Sequence, residues 1–167
     1  QTTFNSSFWE IYLNQCFHDL DMSIDFSKSS PDFSVVSKNK NIINIEAVTA
    51  NHAINSDPEW SRPESQKEKG EFLNFSCVRI LNAINSKYKK YKESYSKLDH
   101  VIGNPYIIAL APFDQPYFFI QNNEAIIRVL YGQGIDDNSK EVFVPAAKKN
   151  PKVSLMLGIF TNDMHKE

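Results

Sequence analysis

The chain has 167 residues, 41% of them hydrophobic, and a formal net charge of -2 at neutral pH. That is enough chain to bury a core without disulfides or a structural metal, and too apolar a composition for an intrinsically disordered protein. The near-neutral charge excludes a surface that is polycationic throughout, while a local basic patch beside an acidic site remains compatible with it.

Phe8, Tyr12, Leu13, Cys16, Phe17 and Leu20 recur at helical spacing and predict a first amphipathic helix over residues 4–20, with Asn5 or Ser6 as its cap. Short β-prone segments follow at 23–26, 32–37 and 41–49, and the polar Lys38-Asn39-Lys40 stretch predicts a hairpin turn that makes the last two antiparallel. Residues 51–70 are polar, carry Pro58 and Pro63, and read as a long loop. Over 71–95 the helical period returns, with Cys77, Leu81, Ile84, Tyr88 and Tyr91 on one stripe and Arg79, Ala83, Lys87 and Lys90 on the flank beside it. Residues 105–111 form a nearly continuous apolar run closed by Pro112, which predicts a buried central strand reached by a right-handed crossover and paired in parallel. A third helix over 115–131, ended by Gly132, and a last strand over 153–160 complete a single α/β domain spanning 1–167.

Cys16 and Cys77 are far apart, lack metal-ligand spacing and read as small buried apolar groups, which points to a reducing, cytoplasmic setting. No apolar run reaches the roughly 18 residues needed to span a bilayer, and the N-terminal stretch lacks a signal-peptide core. His18, His52, His100 and His165 form no H-x-H or H-E-x-x-H arrangement, no G-x-S-x-G elbow is present, and the 5 glycines supply no phosphate-cradling loop.

What remains is carboxylate chemistry. Asp32 opens one strand of the predicted hairpin and Glu46 lies in the other, with the same parity, so both side chains can converge at one sheet edge. Two carboxylates are hard ligands suited to Mg²⁺ or Mn²⁺, which keep several waters for a substrate phosphate to displace. Glu10 on the first helix is a candidate third acid. Glu46 also interrupts an apolar stretch, where a carboxylate is costly without a cation or a donor. Plainer readings stand beside these: Pro31-Asp32 is a common turn initiator, Glu46 can serve a structural salt bridge, and Glu10 can be a solvated acid early in a helix.

A helix bearing Glu10, then Pro31-Asp32, then a strand carrying Glu46-Ala47-Val48 resembles the PD-(D/E)XK superfamily of restriction-endonuclease-like nucleases, over roughly residues 4–111. The resemblance implies an αβββαβ core with a mixed sheet flanked by helices, followed by an appended helix and strand at 115–160. It implies a metal-dependent DNA endonuclease, of restriction or defence type, in which Asp32 and Glu46 hold Mg²⁺ or Mn²⁺ and Glu10 assists. Val48 stands where the family usually has lysine, and Lys87 on the following helix is the expected substitute. Arg79, Lys87 and Lys90 would contact DNA, although a plain solvated helix face explains the same charges. Two alternatives remain: a nuclease-fold module without cleavage that binds nucleic acid or a protein, and a structural interaction domain with no ligand. A homodimer, or further domains outside this chain, stays open.

Overall fold

The computed structural model describes residues 2–161. It is a mixed α/β protein whose chain order begins α1 (Thr2–Asp19), β1 (Ser23–Ile24), β2 (Phe33–Val36), β3 (Ile42–Asn51), α2 (Lys69–Glu93) and β4 (Tyr106–Phe113). Then come α3 (Glu124–Tyr131) and the short strands β5 (Gln133–Ile135), β6 (Glu141–Phe143), β7 (Ala146–Asn150) and β8 (Val153–Met156). The chain divides into two compact units, Gln1–Thr49 with Ala83–Ala111, and Ala50–Asn82 with Pro112–Glu167.

The first unit is built on a four-stranded sheet in the order β1-β2-β3-β4. The expected hairpin is present: β2 and β3 pair antiparallel with Phe33 opposite Ile45 and Val35 opposite Ile43. Its turn closes through Ser37 N–H to the Asn41 carbonyl, with Lys40 in the left-handed region at φ 62°. Alternation along the pair decides the two faces. Phe33, Val35, Ile45 and Ala47 pack on Leu13 and Phe17 of α1, with Trp9 and Ala109 at the margin. Asn44 and Glu46 therefore point to the opposite face, and both are fully buried there.

Several sequence expectations shift. Helix α1 starts at Thr2, so Asn5 lies inside it as a buried residue and neither Asn5 nor Ser6 caps it. Its buried stripe is Leu13 and Phe17 with Trp9 partly covered, while Phe8, Tyr12 and Leu20 stay exposed. The apolar residues of α1 run nearly all round the helix, so spacing alone does not select the inward face. Tyr88, expected on the buried stripe of α2, is exposed. Strand β4 lies at the end of the sheet order rather than at its centre and is mostly half-buried.

In the second unit, Phe72, Leu73, Cys77, Ile80 and Leu81 of α2 are buried, as are Ala125 and Val129 of α3. Burial pushes the Cys77 thiol up to about 12, as expected of a structural cysteine. The expected helix over 115–131 is confined to α3, because Tyr117 and Asn122 adopt positive φ and bracket a short 3₁₀ turn at Phe118–Gln121. Gly132 does end α3, in the left-handed conformation at φ 66° with its N–H on the Arg128 carbonyl. Instead of one last strand there are two hairpins, β5-β6 and β7-β8. Among the described residues no helix is long and apolar enough to cross a membrane.

Candidate metal centre

Glu46 has no solvent exposure, and Lys87 of α2 donates to its Oε1 at 2.6 Å. Lys90, one turn further along α2, donates to the same oxygen at 3.4 Å and rests over the Tyr95 ring at 4.7 Å. Oε2 of Glu46 is buried and has no hydrogen-bond partner among the described residues. A sealed carboxylate with one oxygen bare is an expensive arrangement unless something electropositive reaches it.

Asp32 sits beside this group because the β2-β3 hairpin places it there. Pro31 before it is fully buried, the Ser30 carbonyl accepts from His100 Nε2 at 2.7 Å, and Asp32 Oδ2 accepts from the Ala47 N–H at 2.9 Å. The aspartate is thus tied to the peptide that follows Glu46. Burial first, and then the negative charge of Glu46, raise its pKa above the ordinary carboxylate value, although Lys87 and the Ala47 N–H pull the other way. Glu10 joins from α1, which Trp9 Nε1 anchors by donating to the Ala109 carbonyl at 2.9 Å. Its pKa is raised too, by burial and then by Asp32, with a smaller contribution from Glu46. Glu10, Asp32, Glu46 and Lys87 therefore share one electrostatic neighbourhood, and Lys90 belongs to it as well.

Arg79 belongs to the second unit, where Nε donates to the Asn51 carbonyl at 2.7 Å and the guanidinium also reaches the His52 carbonyl at 3.4 Å. Its charge is committed to backbone. Of the histidines, His52 pairs with Glu59 at 3.1 Å and packs edge-on against Trp60, while His165 lies outside the described residues. Val48 offers no cation, and Lys87 supplies it from the helix instead.

The second unit holds a buried polar cluster that no motif in the sequence marks. Asp114, fully buried, accepts from Ser76 Oγ at 2.5 Å and from Gln121 Nε2 at 3.3 Å, and Gln115 Nε2 donates to Ser76 Oγ at 2.7 Å. Burial raises the Asp114 pKa. Gln115 and Phe72 also line an open cavity of about 440 Å³, together with Lys67, Glu71, Pro116 and Tyr117. The signal for this cluster was a polar Asp114-Gln115 pair directly after an apolar strand.

Among the described residues, no three His, Cys, Asp or Glu side chains are grouped closely enough to hold a metal ion by themselves. Two carboxylates and solvent suffice for Mg²⁺ or Mn²⁺, which bind through one or two protein oxygens and retain water. The bare Oε2 of Glu46 and the raised pKa of Asp32 are what such a cation would relieve, so the residues present fit it. The chain matches no family model, no curated protein and no solved structure.

Proposed function

We propose that this chain is a metal-dependent DNA endonuclease of the PD-(D/E)XK type, hydrolysing phosphodiester bonds at the Asp32-Glu46 edge of the sheet. The observation that carries the reading is Glu46: fully buried, clamped on one oxygen by Lys87 and bare on the other.

Asp32 and Glu46 would hold Mg²⁺ or Mn²⁺, with Glu10 as a nearby acid that accepts a proton or a water-mediated contact. When bound, the ion polarises the phosphate and makes a coordinated water more acidic. Lys87 then has a second use. Its ammonium, 2.6 Å from Glu46 Oε1, would balance negative charge developing on a phosphate held beside that carboxylate. Lys90, half exposed on the same helix, would hold the DNA backbone.

A second reading has its own support. Lys87 and Lys90 both sit on Glu46 Oε1, so the acid is already compensated, as in a nuclease-fold module that binds nucleic acid or a protein without cutting. Incubation of supercoiled plasmid with Mg²⁺ or Mn²⁺ separates the two. Nicking that is lost in Asp32→Ala, Glu46→Ala and Lys87→Ala proteins is the expected outcome. Absence of nicking, with divalent cations leaving the melting temperature unchanged, would refute the nuclease reading.

A further inference from the structure

Three buried polar atoms of the first unit have no hydrogen-bond partner among the described residues: Glu46 Oε2, Asn44 Oδ1 and the Tyr106 hydroxyl. They are close in the fold. Asn44 and Glu46 are two positions apart on β3 and so share a face. The Asn44 N–H donates to the Pro105 carbonyl at 2.9 Å, which sets the start of β4, and hence Tyr106, beside Asn44. The charges of Glu46 and Asp32 both act on the Tyr106 hydroxyl.

Each atom is also held where it is. The Asn44 amide is oriented by its own Nδ2, which donates to the His100 carbonyl at 2.9 Å, so the oxygen faces the other way. The Tyr106 ring is stacked on Tyr91 at 4.5 Å and tilted against Tyr95 at 6.3 Å, so the hydroxyl cannot swing out to solvent. Tyr91 lies one turn after Lys87 on α2, so one helix face covers Tyr106 and reaches Glu46. Chemically the set is two acceptors and one donor that can also accept.

We propose that Asn44 and Tyr106 are positioning residues for Glu46, acting through one buried water. The water donates to Asn44 Oδ1 and to Glu46 Oε2, and accepts from the Tyr106 hydroxyl. Three hydrogen bonds to otherwise unpaired buried groups are what an internal water makes. The water fixes the rotation of the Glu46 carboxylate while Lys87 fixes its other oxygen. In the metal-bound protein, a consequence that rests on the nuclease reading above, the same pair keeps Glu46 aimed at the ion, as outer-shell partners of ligating carboxylates do.

The test is a double-mutant cycle in metal-free protein with Tyr106→Phe and Glu46→Gln, followed by Mn²⁺ binding read from the free-ion electron paramagnetic resonance signal. Tyr106→Phe keeps the ring stack and removes only the hydroxyl. It is expected to lower the melting temperature by about 2–4 °C and to couple to Glu46→Gln. It should also weaken Mn²⁺ binding by about tenfold, which a purely structural hydroxyl would not do. A Tyr106→Phe protein as stable as wild type, or changes that add without coupling, would overturn the shared water. Unchanged Mn²⁺ affinity would overturn the positioning role. Wild-type protein that leaves all Mn²⁺ free, with the cycle still coupled, would remove the metal reading and leave the water standing.

Discussion

Replacing Lys87 by alanine tests whether Glu46 is held as an ion in a sealed place. Glu46 has no exposure and the Lys87 side chain is 24% exposed, so the pair is largely desolvated. Removing one partner of such a pair typically costs about 3–5 kcal/mol, because the remaining charge is buried without compensation. Lys90 still reaches Oε1 at 3.4 Å, but its side chain is 50% exposed, and a screened contact of that kind returns at most about 1 kcal/mol. The net loss is therefore about 2–4 kcal/mol, or roughly 5–15 °C in melting temperature for a chain of this size. Urea unfolding followed by circular dichroism gives the free energy directly, and an unchanged slope keeps the comparison two-state. On a Glu46→Gln background the same substitution should cost about 1 kcal/mol or less. A loss below about 1 kcal/mol in the wild-type background would refute the sealed ion pair. An equal loss in both backgrounds would assign the effect to packing of the lysine stem instead.

Asp32 and Glu10 both carry raised pKa values, so the native state binds protons more tightly than the unfolded chain, and stability contributed by these groups falls as pH rises through the folded pKa values. Asp32→Asn, which keeps an acceptor for the Ala47 N–H, should raise the metal-free melting temperature at pH 7 and flatten its decline as pH rises above the ordinary carboxylate range, as acids held for function commonly cost stability. Lys90→Ala should change stability by less than about 1 kcal/mol, but lower the salt dependence of DNA binding by about one phosphate contact, read from affinity against log salt concentration. Arg79→Ala should do the reverse, destabilising by about 1.5–3 kcal/mol through loss of its bonds to the Asn51 and His52 carbonyls while leaving that salt slope unchanged.

The sequence carried the part of the molecule where period, punctuation and chemistry agree. The Lys38-Asn39-Lys40 turn between two β-prone runs specified the β2-β3 hairpin, and parity along it put Asp32 and Glu46 on one face, while only packing showed that α1 covers the other. Gly132 marked the end of α3 because a left-handed residue was required there. Strand β4 misled, since an apolar run reads the same whether it is central in a sheet or at a partly covered edge. Here Tyr91 covers Tyr106 and Trp9 reaches the Ala109 carbonyl. Asn44 and Tyr106 were illegible as site residues because neither type announces chemistry. What singles them out is one buried oxygen each without a partner among the described residues, which only packing reveals.

Charge decides how the site could work. Glu10, Asp32 and Glu46 face Lys87 and Lys90, three carboxylates against two ammonium groups, so a phosphate approaching the metal-free edge meets net repulsion at neutral pH. A divalent cation reverses that sign, which makes DNA binding and metal binding mutually reinforcing if these acids are the metal site. Calcium serves as the probe, since it supplies the same double charge and takes carboxylate oxygens as ligands. DNA affinity at fixed ionic strength should rise about tenfold when Ca²⁺ is added, and Asp32→Ala should abolish that rise while tightening metal-free binding by removing a repelling charge. A module that merely binds nucleic acid through Lys90 and its neighbours predicts the opposite pattern: equal affinity with and without Ca²⁺. Equal affinity in wild type would therefore move the acids out of any metal site, and leave Glu46 as the structural partner of Lys87.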